Sequence, residues 1–210
     1  MRKLRYDGKG DPNNQFEFNG MPHAYGMIPR TFEDPLHKEV VTTTRIGQLI
    51  EEQVEIGGDR DPLDIYILSE RDLPIGQCKC KVIGVIHFVD GDEIDYKIIA
   101  VDQAFVDVDQ IRELSDLKNT LVFQNALEEI LNWLKYYKTV DNDGNKLPQP
   151  KFDSKIGRVI KGRSTSSEEA RKVIRECRGD YDKIVRDQDK QKSHQEYEEI
   201  TWISPSNVTA

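Results

Sequence analysis

No stretch of the chain approaches the ~18 consecutive apolar residues of a membrane-crossing helix, so no spanning segment is expected. Residues 1–20 are polar and lack an apolar signal-peptide core, which points to a cytosolic protein with an organelle left open. Cysteine is scarce. Cys78, Cys80 and Cys177 form an odd, sparse set that argues against a disulfide framework. Cys78 and Cys80 suggest half a zinc site, but no second Cys/His pair has zinc spacing, so they read as structural thiols. Net positive charge is also lacking. At a formal −8 the chain is repelled by nucleic acid and by anionic membranes, and neither is expected as a partner. Acidity does not exclude an anionic substrate, because bound divalent cations invert the local field. Apolar residues are few for a globular chain at 37%, and charged residues many at 32%. Part of the chain is therefore outside the core, and the polar stretch 186–210 is the part expected. Residues 1–185 are read as a single domain with short or truncated N-terminal strands.

The order of elements suggests strands first and helices last. Leu63–Leu68 is a short apolar run following the loop Gly57–Pro62. Residues 78–89 and Tyr96–Val101 flank the turn Asp90–Glu93 and read as a β-hairpin. From Leu121 through Val122, Leu127, Ile130, Leu131, Leu134 and Tyr137 the apolar residues recur mostly at three- and four-residue steps, which predicts a helix of about five turns. A second helix is expected from Thr165–Ser167, where Thr165 with Glu168 and Ser166 with Glu169 fit a capping box. Gly179 is its expected end. Glu33-Asp34-Pro35 reads as a turn. This order predicts an α+β fold with a small, mostly antiparallel sheet or barrel.

Carboxylates carry the chemistry. Asp59, Asp61 and Asp64 lie within six residues around Pro62. If the backbone is extended at 59–61, Asp59 and Asp61 share a side, and Asp64 joins them only if the chain turns near Pro62. Crowded carboxylates repel one another, and hard divalent cations relieve the repulsion. A solvated turn explains three aspartates equally well. The hairpin adds Asp90 and Asp95 at its tip, with Lys97 on the same strand face as Asp95. Tyr137 and Lys138 follow on the long helix, where a core tyrosine and a lysine placed for the helix dipole are the plainer alternatives. Asp141-Asn142-Asp143-Gly144 lacks the first acidic ligand and the terminal glutamate of an EF-hand.

Together these residues resemble the soluble, Mg²⁺-dependent inorganic pyrophosphatases of family I. The family's Asp-x-Asp-Pro-aliphatic-Asp-aliphatic signature stands here as Asp59 to Ile65, with Arg60 where Gly or Asn is commoner. Tyr25-Gly26 and the following Pro29-Arg30-Thr31-Phe32 resemble its Tyr-Gly and Pro-x-Thr-aromatic segments. Asp90, Asp95 and Lys97 match its acidic hairpin, and Tyr137-Lys138 its Tyr-Lys pair. The resemblance implies an OB-like, mostly antiparallel β-barrel flanked by C-terminal helices. It implies hydrolysis of pyrophosphate to two phosphates by a metal-activated water, with several Mg²⁺ ions or Mn²⁺ in their place. Asp59, Asp64 and Asp95 are implied to hold the first ions, with Asp64 bridging, and Asp90 a further one. Asp61 is implied as general base or water-orienting group. Tyr25, Lys97, Tyr137, Lys138 and, by its pattern before Tyr6-Asp7, Lys3 are implied to hold phosphate oxygens. A homo-oligomer is implied, and Glu33-Asp34-Pro35 together with the long post-helix loop favours a dimer over a hexamer. The family's early glutamate has no room in residues 1–20, and its arginine has no clear counterpart there, with Arg2, Arg5 and Arg30 left as substitutes. That departure motivates the alternative of a catalytically impaired metal-binding or assembly module.

Overall fold

The computed structural model describes residues 21–44, 51–90, 93–136, 158–159 and 163–189. Lys3, Tyr137, Lys138, the 141–144 acidic loop and residues 190–210 lie outside them.

The first sheet runs β1 (Ala24–Met27), β4 (Asp64–Leu68), β8 (Lys97–Asp102), β5 (Cys80–Ile86). The second runs β2 (Glu39–Thr44), β3 (Glu51–Gly58), β7 (Glu93–Ile94), β6 (Phe88–Asp90), β9 (Arg158–Val159). Two pairings, β4 with β8 and β3 with β7, are parallel, and the other described pairings are antiparallel. The result is a mixed α+β fold of two sheets with a C-terminal helix.

β8 is buried at every position. A strand reads as an unbroken apolar run when both of its faces are covered, and here both are. Ile99 and Val101 join one core, completed by α1 (Ala126–Tyr136) through Ala126, Ile130 and Leu134. Ile98 and Ala100 join a second core with Ala170, Val173 and Cys177 of α2 (Ser167–Asp189).

The expected hairpin forms, from Cys80 opposite Asp102 to Ile86 opposite Lys97. Its tip, however, peels away as β6 and β7 and pairs into the second sheet. Three expectations need correction. The first helix starts at Ala126, not Leu121. Leu121 and Val122 are exposed, and the chain before α1 is held by three-residue turns, Phe123 N to Thr120 O (2.9 Å) and Ala126 N to Phe123 O (3.0 Å). Gly57 and Gly58 belong to β3 rather than to the loop. Gly179 does not end α2, which continues to Asp189. Glycine in a helix interior costs about 1 kcal/mol, and buried Asp180, bonded to Lys183 at 2.5 Å, belongs to the turn that continues past it. The division drawn at residue 185 thus falls inside α2. The cap reading holds at Ser166, whose Oγ accepts the Glu169 N–H at 3.1 Å. Glu113 adds a second clamp by accepting the N–H and the hydroxyl of Ser167, each at 2.7 Å.

Candidate functional site

Asp64 opens β4 and Lys97 opens β8, and the parallel register sets them side by side. Asp95 stands two residues before Lys97, in the short link between β7 and β8, and its carboxylate lies against the Lys97 ammonium. Lys97 Nζ accordingly lies 2.6 and 2.5 Å from the two Asp95 oxygens and also donates to Asp64. Tyr25 arrives from β1, where it pairs with Tyr66, and its ring meets the Tyr66 ring edge-on at 5.0 Å. Its hydroxyl donates to Asp64 and lies 3.3 Å from Lys97 Nζ.

Asp59 reaches this group by a bend. Alternation at 59–61 does not occur, because Arg60 takes a left-handed backbone with φ 73°. The Asp59 carboxylate caps the bend by accepting the Asp61 N–H at 2.9 Å. Asp59 is thereby drawn inward while Asp61 stays exposed. A left-handed backbone costs an L-residue about 1–2 kcal/mol and glycine almost nothing, which explains why Gly or Asn suits this position. Arg60→Gly is therefore expected to raise the stability of the chain by about 1 kcal/mol, after allowing for the extra freedom of glycine in the unfolded state. Urea unfolding checks this, and a loss of stability would contradict the strain assigned to Arg60.

Residues 28–35 strap the loop from outside. Ile28 N donates to Leu63 O (2.8 Å), Leu63 N to Thr31 Oγ1 (3.0 Å), Glu33 N to Asp61 O (3.0 Å) and Arg60 N to Glu33 O (3.0 Å). The strap lies so close to β3 that a Cβ on Gly58 would stand 2.3 Å from the Glu33 carbonyl carbon, so only glycine fits. Phe32 N in turn donates to Cys177 O at 3.0 Å, tying the strap to α2.

Glu33 is the residue that sequence reasoning missed. Its local sequence reads as a turn, yet the turn begins at Asp34, and Glu33 is 2% exposed. Its Oε1 accepts the Tyr96 N–H at 2.8 Å. One oxygen each of Glu33, Asp59 and Asp95 lies within 4.8 Å of the others, a donor set suited to a hard divalent cation. The available signal was slight, an acid directly after the Pro-x-Thr-aromatic segment.

Burial and mutual repulsion disturb these groups strongly. Burial first, then Asp95, pushes Asp59 up to about 7. Burial also raises Asp95 to about 6, with Lys97 opposing the shift and Asp64 adding to it. Glu33 is held well above the usual carboxylate range by burial, then by Asp59 and Asp95. Burial acts to lower Lys97, but Asp95 and Asp64 more than offset it, and the ammonium titrates well above its ordinary value. Tyr25 is 38% exposed, but its hydroxyl is enclosed, and burial drives its pKa upward.

Asp59, Asp64, Asp95, Lys97 and Tyr25 thus converge at one end of the first sheet. Asp90 ends β6 half-buried and adds a smaller push to Asp95. Cys78, Cys80 and Cys177 are free thiols, and among the described residues no metal-binding group includes them.

The family profile for inorganic pyrophosphatase matches residues 4–182. An inorganic pyrophosphatase of Yarrowia lipolytica is 30% identical over 173 residues, covering 82% of this chain and 52% of the relative. One of Candida albicans is 27% identical with the same coverage, 82% and 52%. This chain therefore spans about half the length of the curated relatives it matches. Among solved structures, the type I inorganic pyrophosphatase of P. falciparum superposes with a TM-score of 0.61 at 25% identity, covering 80% of this chain and 48% of that one. The N-terminally truncated Trypanosoma cruzi vacuolar soluble pyrophosphatase in complex with PPi gives a TM-score of 0.61 at 19% identity, covering 82% and 57%, and supports the fold. A profile match of this extent makes the chain a member of the type I inorganic pyrophosphatase family.

Proposed function

We propose that this chain hydrolyses inorganic pyrophosphate to two phosphates with Mg²⁺, for which Mn²⁺ substitutes. The observation that carries the reading is the meeting of Asp59 and Asp95 with Glu33 within 4.8 Å, beside Asp64 and Lys97. So many carboxylates in one enclosed place are unfavourable without cations, and the all-oxygen donor set fits Mg²⁺. Asp59, Asp64 and Asp95 would hold the first ions and Asp90 another. When bound, such ions neutralise the phosphates and acidify coordinated water.

The remaining work falls to side chains. Water attacks one phosphorus, the bridging P–O bond breaks, and the bridging oxygen leaves with the second phosphate. Asp61 takes the proton of the attacking water. It suits that role because the bonds holding the loop use its backbone N–H and C=O, leaving the exposed carboxylate to solvent and substrate. Lys97 and Tyr25, 3.3 Å apart, present an ammonium and a hydroxyl where phosphate oxygens develop charge. Lys3, Tyr137 and Lys138 complete the phosphate contacts in this reading.

The reading also includes closure of the two sheets into an OB-like barrel, a homo-oligomer with a dimer favoured over a hexamer, and a cytoplasmic location. No helix among the described residues is long and apolar enough to cross a membrane. Pyrophosphate incubated with the chain and Mg²⁺ should release two phosphates per molecule consumed, and EDTA should abolish the release. A folded chain that binds Mg²⁺ yet releases no phosphate would overturn the assignment.

A further inference from the structure

We propose that Glu33 is a direct ligand of the divalent ion held by Asp59 and Asp95. The proposal rests on the metal centre of the proposed function and adds to it a residue outside the aspartate motif.

Three observations support it. First, a carboxylate oxygen of Glu33 lies within 4.8 Å of oxygens on Asp59 and Asp95. Mg²⁺ sits about 2.0–2.1 Å from each donor, so two oxygens sharing one ion are at most about 4.2 Å apart, and a small inward shift of these side chains brings all three into reach of it. Second, Glu33 is 2% exposed, and its Oε2 has no hydrogen-bond partner among the described residues. A buried carboxylate oxygen with no partner is unfavourable, and either a proton or a bound cation relieves it. Lys97, the cation at the centre, is engaged with Asp95 and Asp64. Third, Glu33 is locked in place from both sides. Its backbone is bonded to Asp61 and Arg60 of the loop, its Oε1 accepts the Tyr96 N–H at 2.8 Å, and Gly58 packs directly beneath it. A residue bonded to the loop bearing Asp59 and, through Tyr96, to the short link between β7 and β8 that bears Asp95 spans both halves of the donor set. Asp64, by contrast, is turned towards Lys97 and Tyr25.

The competing account is that Glu33 only braces Tyr96. Glu33→Gln separates the two, because glutamine keeps an oxygen for the Tyr96 N–H and loses the charge and the ligating carboxylate. Calorimetric titration of the metal-free full chain with Mn²⁺, without substrate, should show affinity reduced at least ~10-fold, the scale seen on disturbing a metal site. The metal-free variant should melt no lower than the parent chain, because one repelling carboxylate is gone. Parental Mn²⁺ affinity and stoichiometry in the variant would overturn the proposal. Should the variant fail to fold, anomalous scattering from Mn²⁺-soaked crystals of the unaltered chain decides. A peak about 2 Å from Glu33 Oε2 supports the proposal, and one beyond about 3 Å overturns it. A parent chain that binds Mn²⁺ through Glu33 but releases no phosphate sinks the proposed activity alone. A parent chain that hydrolyses pyrophosphate while Glu33→Gln keeps full affinity sinks the Glu33 ligand alone.

Discussion

Asp61→Asn is expected to lower pyrophosphate turnover by about 10²–10⁴-fold, the usual contribution of a positioned general base. Stability should change by no more than about 0.5 kcal/mol, as for an exposed substitution away from special features. The difference follows from the loop. Asp61 donates its N–H to Asp59 and offers its C=O to the Glu33 N–H, and asparagine preserves both bonds. Asparagine cannot accept the proton of an attacking water. Mn²⁺ affinity is expected to persist, because the carboxylates that converge are those of Asp59, Asp95 and Glu33. Steady-state kinetics with a parallel thermal melt provide the check. Turnover within a few-fold of the parent would remove Asp61 from the reaction. Equal, negligible turnover in a folded parent and variant would instead favour the impaired metal-binding module.

The metal-free chain is expected to lose stability as pH rises from 5 to 8, the reverse of ordinary acid denaturation. Asp59 and Asp95 titrate at about 7 and about 6 in the fold, against 3.8 when unperturbed. A group whose pKa is raised by folding binds protons more tightly in the native state. Its contribution is complete below the unfolded value and disappears as pH climbs through the folded value. The window is therefore about pH 4 to 7, and the combined loss is on the order of a few kcal/mol. For a chain of this size that lowers the melting temperature by roughly 5–10 °C. Lys97 does not oppose the trend, because its raised pKa keeps it charged throughout. Divalent ions compete with protons for the same oxygens, so Mg²⁺ should stabilise the chain more at pH 8 than at pH 5. Scanning calorimetry in EDTA and in Mg²⁺ at both pH values measures this. Metal-free stability that rises between pH 5 and 8 would refute the carboxylate repulsion described here.

Local chemistry made some features legible before any coordinates. The Ser166 cap, the β5–β8 hairpin and the buried stripes of α1 and α2 follow from short-range rules, which act over one turn or one strand. Leu121 and Val122 show where such rules fail. Their spacing suits a helix, but three-residue turns and exposure to solvent take precedence. Arg60 shows a second failure. Alternation assumed an extended backbone, and the left-handed bend at this residue is imposed by the strap bonded to it.

The sequence by itself singled out Asp59, Asp64, Asp95, Lys97 and Tyr25 as candidates, because motif spacing is a property of the chain. Three matters were decided only by tertiary structure. The parallel register of β4 and β8 sets Asp64 beside Lys97, although 32 residues lie between them. The strap over β3 makes Gly58 obligatory. Glu33, whose local sequence reads as part of a turn, becomes a buried member of the cluster. The physical reason is common to all three. Strand register, close approach and burial depend on partners distant along the chain, and no local preference encodes a partner that has yet to arrive.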